Sequence, residues 1–131
     1  MADKMTYELV SPERKLASGE ADMVVIPGMM GDMGALPGHA PFMTTLRPGV
    51  VSVTSGSETS EYFVTGGFAE VSPDGAAVLA EEAVARSDLT REYIDGKIAQ
   101  AEAALEAAGD DGRQAAGQLV DDLKTAAATL L

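Results

Sequence analysis

The stretch from Gly31 to Gly49, G-D-M-G-A-L-P-G-H-A-P-F-M-T-T-L-R-P-G, constrains this chain more than any other segment. Gly31, Gly34, Gly38 and Gly49 permit positive φ, while Pro37, Pro41 and Pro48 hold φ near −65° and remove backbone donors. Pro37-Gly38 and Pro48-Gly49 each suit a type II turn. The expectation is a rigid surface loop that joins two strands and exposes Asp32 and His39. A loop with so little conformational freedom is suited to presenting side chains to a partner.

On either side of Ser87 the residue pattern changes. Before it, short runs rich in β-branched and aromatic residues alternate with turn clusters: Met5 to Val10, Ala21 to Ile26, Val50 to Thr54, Glu61 to Thr65, Phe68 to Val71 and Ala76 to Leu79. Gly56-Ser57 and Pro73-Asp74-Gly75 supply hairpin turns, and Gly66-Gly67 marks a bulge or a close backbone approach. Short strands at regular spacing predict an all-β sandwich or flattened barrel over residues 1–86.

After Ser87 the alphabet turns to Ala, Glu, Gln, Leu and Lys. Leu89, Tyr93, Ile98, Ala101, Leu105 and Ala108 form one apolar stripe, with Ser87 or Asp88 as cap and Gly109 as stop. Asp111 and Gln114 read as a capping box for a second helix, lined by Leu119, Leu123, Ala126 and Leu130. The short Gly-Asp-Asp-Gly link makes the pair an antiparallel hairpin over 87–131, an α+β chain overall. Its many alanines bury little apolar area at ~25 cal/mol per Å², so the hairpin is expected to be less stable than the sandwich.

Composition limits the partners. A formal net charge of −12 over 131 residues opposes nucleic acid and anionic lipid, so a neutral or basic protein surface is the natural counterpart. The chain has no cysteine, which removes disulfides and thiolate metal sites and fits the cytoplasm. The N-terminus lacks the apolar core of a signal peptide, and no run reaches the ~18 apolar residues of a membrane span, so no direct membrane insertion is expected.

Catalytic and metal chemistry find little support. His39 is the single histidine and has no second soft ligand for zinc. A nucleophilic triad would need Ser52, Ser55 or Thr44 with His39 and Asp32, but no nucleophile elbow surrounds them. His39 reads as a turn residue bonded to nearby backbone, as a contact to a partner, or as both. Met23, Met29, Met30, Met33 and Met43 lie around the same loop. Copper ligation lacks companion ligands. Met23 and Met43 read as core filling, and the other three as an exposed, adaptable contact surface. The acidic pairs Glu81-Glu82, Asp110-Asp111 and Asp121-Asp122 lack the alternating oxygen ligands of a calcium loop and read as solvated faces. No cofactor is expected.

The run G-x-x-G-x-x-P-G-H-A-P-x-x-T-x-L-x-P-G-x-V within residues 31–51 resembles the epsilon subunit of F-type ATP synthases. Tyr7 to Pro12 (Y-E-L-V-S-P) and Gly66 to Val71 (G-G-F-A-E-V) extend the resemblance through most of the β-rich half. It implies a non-catalytic rotor subunit of the central stalk, on the cytoplasmic face of the bacterial inner membrane. Its sandwich would grip the gamma subunit and rest on the c-ring, coupling proton-driven rotation to ATP synthesis. By position, Gly31, Asp32, Met33, Gly34 and Leu36 would face the c-ring, and His39 and Thr44 would lie toward gamma. The hairpin would fold on the sandwich or extend toward the catalytic beta subunits.

The tail departs from the family. Epsilon subunits that bind ATP carry I/L-D-x-x-R-A at the entry to the first helix. With Asp88 as the aspartate, Arg91 takes the arginine position but Glu92 replaces the alanine. If the longer D-L-x-x-x-R form is followed, Tyr93 replaces the arginine. Inhibitory tails also present basic residues to acidic loops of beta. Here Arg91, Lys97, Arg113 and Lys124 face a majority of carboxylates, which predicts weak or absent inhibition. The alternative is an ATP-sensing subunit whose extended hairpin inhibits hydrolysis.

Overall fold

Apolar residues at every second position make the first half a set of strands, and the computed structural model, which describes residues 4–130, shows how they close. The strands are β1 (Met5–Ser11), β2 (Arg14–Ala21), β3 (Met23–Gly28), β4 (Gly31–Ala35), β5 (Phe42–Leu46), β6 (Gly49–Ser55), β7 (Glu58–Val64), β8 (Gly67–Ser72), β9 (Gly75–Ala80) and β10 (Ala83–Ala85). Among the described residues they join in the order β10-β7-β6-β3-β5-β8-β9-β1-β2, with β4 paired to β3. The predicted sandwich or flattened barrel is observed as a nearly closed one. A single bridge, Gly28 to Leu46, links β3 to β5 where the sheet turns from one layer to the other. Among the described residues all strand pairings are antiparallel except β1 with β9.

The inward alternation packs Met5, Leu9, Val24, Ile26, Leu46, Val51, Val64, Val71 and Val78 into one core. Each such side chain taken out of water contributes about 1.5–3 kcal/mol.

Four strands lie outside the expected set. β2, Arg-Lys-Leu-Ala-Ser-Gly-Glu-Ala, is mostly exposed, so it lacks the alternation that identifies a half-buried strand. β4 and β5 lie inside the stretch expected to be loop: β3–β4 is a tight hairpin with Met29-Met30 at its tip, and β5 pairs along β8. β10 spans three residues. The Pro37-Gly38 turn forms as expected, with Gly38 at φ 85° and the His39 N–H donating to the Leu36 carbonyl at 3.1 Å. Pro48-Gly49 does not form a type II turn, because Gly49 has no positive φ. Gly49 is required for another reason: a Cβ there would stand 2.8 Å from Pro27 Cβ.

The contacts divide the chain into two compact units between Arg86 and Ser87. A 3₁₀ turn, Arg86–Asp88, spans that division, and the second unit holds α1 (Arg91–Ala107) and α2 (Arg113–Leu130), which returns after residues 108–112. Thr90 caps α1, its hydroxyl accepting the Tyr93 N–H at 3.1 Å, whereas Ser87 or Asp88 was expected to cap it. The 3₁₀ turn occupies those residues and delays the helix. Ile94 and Ala101 are the buried positions of α1, and Val120, Leu123, Ala126 and Ala127 those of α2. Leu119, expected inward, is 37% exposed. Gly112, not Asp111, precedes the first turn of α2, and its carbonyl accepts the Ala116 N–H.

Candidate functional site

The β3–β4 hairpin and the Leu36–Pro41 turn carry most of the residues singled out from the sequence. Gly28 pairs with Gly31 across a two-residue tip, and Gly31 takes φ 128°. Met30 at that tip is 100% exposed and Met29 55%. Asp32 extends from β4 into solvent, where Arg47 Nη2 meets its Oδ1 at 3.2 Å. Arg47 Nε also donates to the Gly28 carbonyl at 3.0 Å. One guanidinium thereby fastens the end of β5 to both strands of the hairpin.

Met33 is half-buried and packs against the core, so the exposed methionine surface holds Met29 and Met30 but not Met33. Met43, expected in the core, is 60% exposed. The reason is register: Met43 pairs with exposed Glu70, whereas Thr44 pairs with buried Ala69. Leu36 is exposed beside the turn.

His39 is half-buried, and its Nδ1 donates to the Ala40 carbonyl at 2.6 Å. The Gly38 N–H donates to the Pro73 carbonyl at 2.9 Å, so this turn is tied to the β8–β9 turn. The Thr44 hydroxyl donates to the Thr45 carbonyl at 3.1 Å, and a Cβ on Gly28 would stand 3.4 Å from it.

The triad arrangement does not assemble. Ser52 bonds Glu61, Ser55 bonds Lys4, Asp32 meets Arg47, and among the described residues none is hydrogen-bonded to His39. Among the described residues no three His, Cys, Asp or Glu side chains converge as a metal site.

Outside this region, the Asp22 carboxyl is held below its ordinary value. The Gly56 N–H donates to its Oδ2 at 2.7 Å, and Lys4 Nζ lies 2.9 Å from its Oδ1. Tyr7 is raised above the usual phenol value, by partial burial and then by Tyr62.

The site is thus a braced hairpin of the sandwich that exposes two methionines and a carboxylate. The profile described as "ATP synthase, Delta/Epsilon chain, beta-sandwich domain" matches residues 4–86. The ATP synthase epsilon chain of Parvibaculum lavamentivorans is 52% identical over 95% of this chain and 96% of its own length. That of Rhodobacter capsulatus is 46% identical over 95% and 94%. A chain in the cryo-EM structure of Euglena gracilis mitochondrial ATP synthase, OSCP/F1/c-ring, superposes with a TM-score of 0.75 at 22% identity, covering 98% of this chain and 82% of that one, a likeness of fold.

The chain belongs to the ATP synthase epsilon chain family. It is accordingly a non-catalytic stalk subunit and part of a membrane-associated complex. Among the described residues no helix is long and apolar enough to cross a membrane.

Proposed function

We propose that this subunit couples the c-ring to gamma on the cytoplasmic face of the bacterial inner membrane. The β3–β4 hairpin, with Gly31, Asp32, Gly34 and Leu36 behind the Met29-Met30 tip, rests on the polar loops of the ring. The turn around His39 and the adjoining β5, with Thr44, lie toward gamma. The observation that carries this reading is the braced hairpin. Two exposed methionines supply adaptable apolar contact, and the Arg47 bridge with the tight turns limits the entropy lost on docking. The subunit breaks no bond; it stiffens the junction through which the two rotations move together.

The helical hairpin inhibits weakly or not at all. Nine carboxylates between Asp88 and Asp122 outnumber Arg91, Lys97, Arg113 and Lys124, so an extended hairpin meets acidic loops of beta with like charge. Screening over ~8 Å reduces that repulsion without reversing it.

The test measures ATP hydrolysis by the matching catalytic head with the chain absent, whole, or ended after Arg86, with binding followed by gel filtration. Binding of both forms with equal rates supports a coupler whose hairpin does not inhibit. Lower activity with the whole chain alone transfers the hairpin to the regulatory role, and failure of both forms to bind removes the coupling role itself.

A further inference from the structure

Turn geometry does not explain the residues at the β3–β4 tip. Two-residue hairpin tips favour Asn, Asp and Gly for their backbone conformation. Here Met29 and Met30 occupy the tip, and the positive φ falls on Gly31 instead. The pair is also kept out of the core: Met30 is 100% and Met29 55% exposed, whereas Met5 is buried and Met33 packs against the core. Of the other described methionines, Met23 is half-buried, with its Sδ 3.7 Å from the place of a Cβ on Gly34, and Met43 is exposed on β5. Access to solvent therefore puts Met30 first, Met43 and Met29 next and Met5 last.

The backbone around the tip is held without help from either side chain. The Met29 N–H donates to the Thr45 carbonyl at 3.0 Å, and Arg47 Nε donates to the Gly28 carbonyl at 3.0 Å. A change in the chemistry of the two sulfurs thus leaves the strands in place and alters only what the tip offers to a partner.

We propose that the Met29-Met30 tip is a reversible sulfoxidation site through which peroxide controls docking of the unassembled subunit on the c-ring. The inference rests on the coupling role proposed above and deepens it by naming a control on that contact. A lone pair of the Met30 sulfur attacks one oxygen of hydrogen peroxide. The O–O bond breaks as an S–O bond forms, and the proton on the transferred oxygen passes to the departing hydroxide, which leaves as water. The sulfur loses two electrons and the peroxide gains them. A flexible apolar thioether becomes a polar, chiral sulfoxide, whose oxygen must be stripped of water when the tip is pressed against the ring. Methionine sulfoxide reductases, one for each epimer, restore the thioether. Docking covers the tip, so the control acts on assembly: an oxidised subunit stays off the ring until it is reduced.

The test treats the full-length chain with hydrogen peroxide, removes the peroxide with catalase, adds the matching gamma subunit and titrates the pair onto the detergent-solubilised c-ring. Peptide mass spectrometry reads the sulfoxide at each methionine, and thermal melts check folding. Met30 should oxidise first, with the melting temperature unchanged, docking should weaken about tenfold or more, and reductase treatment should restore it. In Met29→Leu with Met30→Leu, treated and untreated protein should dock within about twofold of each other, whereas Met43→Leu should lose docking on treatment as the unaltered chain does. The partly oxidised unaltered chain still reports if the double variant fails to fold, because Met30 sulfoxide should be enriched in its undocked fraction. Equal sulfoxide at Met30 in docked and undocked fractions, or an equal loss of docking in the folded double variant, overturns the proposal while the coupling role stands. If the untreated chain with gamma does not dock on the ring, the coupling role falls and takes this proposal with it.

Discussion

Arg47 bridges Asp32 and the Gly28 carbonyl, with Nη2 3.2 Å from the carboxylate and Nε 3.0 Å from the carbonyl oxygen. The two bonds are unequal in worth. Asp32 is 71% exposed, so its ion pair contributes only about 0–0.5 kcal/mol after solvent screening. The bond to Gly28 is half-buried and directional, at about 1 kcal/mol. Arg47→Ala should therefore destabilise the sandwich by about 1 kcal/mol in urea unfolding, and Asp32→Asn by less than about half of that. Equal losses in the two variants would mean that the ion pair, not the carbonyl bond, braces the hairpin. If Asp32 faces a partner, Asp32→Asn weakens c-ring docking while leaving the urea midpoint nearly unchanged.

Gly67 is a second point where one atom matters. It takes φ 123°, and a Cβ there would run into the Leu79 carbonyl oxygen and stand 2.9 Å from Ala80 Cα. Neither obstacle is the end of a flexible side chain. Gly67→Ala should cost at least about 2 kcal/mol, from backbone strain combined with separation of β8 from β9. Gly56→Ala provides the comparison, since Gly56 also has positive φ, at 63°, but nothing lies within 4 Å of the added Cβ. It should cost about 1 kcal/mol from conformation alone. If thermal melts rank the two variants in the opposite order, the clash at β9 is not the governing term.

These glycines show which parts of the fold could be read from the sequence. Gly66-Gly67 stood out because two glycines inside a strand pattern have few other uses, and the close approach is present. The strands containing Val24, Val51, Val71 and Val78 were legible because burial on one side imposes alternation. β2 was not, because its edge position leaves most of Arg14 to Glu20 in water and removes that constraint. β4 and β5 were hidden by the prolines and glycines around them: turn formers mark where the chain bends but not that five residues between bends pair as a strand. The outward position of Met43 depends on a one-residue register with β8, which a methionine in either place would satisfy by composition. Ile94 was missed as a buried position because the stripe was begun at Leu89, before the helix starts at Arg91.

Asp22 joins the β2–β3 corner to the β6–β7 turn through the Gly56 N–H and Lys4. Those two partners favour the carboxylate, so its folded pKa lies below its unfolded value of about 4. The resulting stabilisation is fully present above that unfolded value and is lost as pH falls through the lower folded one. Asp22→Asn should melt below the unaltered chain at neutral pH, and the two curves should converge in acid. A constant difference in melting temperature from neutral pH down to about pH 2 would show that shape, not charge, carries the corner.

Gly96 and Gly117 lie inside α1 and α2, and a Cβ built on either meets nothing within 4 Å. Neither glycine is explained by close packing. Each leaves its helix about 1 kcal/mol weaker than alanine would, because glycine loses more backbone entropy on entering a helix. Two such positions in a pair of helices with few buried side chains lower the cost of opening the hairpin. Gly96→Ala with Gly117→Ala should slow amide exchange throughout α1 and α2, by about fivefold per kcal/mol gained, while amides of β6 and β8 keep their rates. Equal slowing in helices and sandwich would mean that the two open together as one cooperative unit. Unchanged helix exchange would mean that the open state retains the helices and the glycines do not govern it. Where opening of the hairpin limits a change of position within the assembled stalk, the double variant should also slow that change, read as the rate at which a fluorophore pair placed on α2 and on the sandwich exchanges between distances.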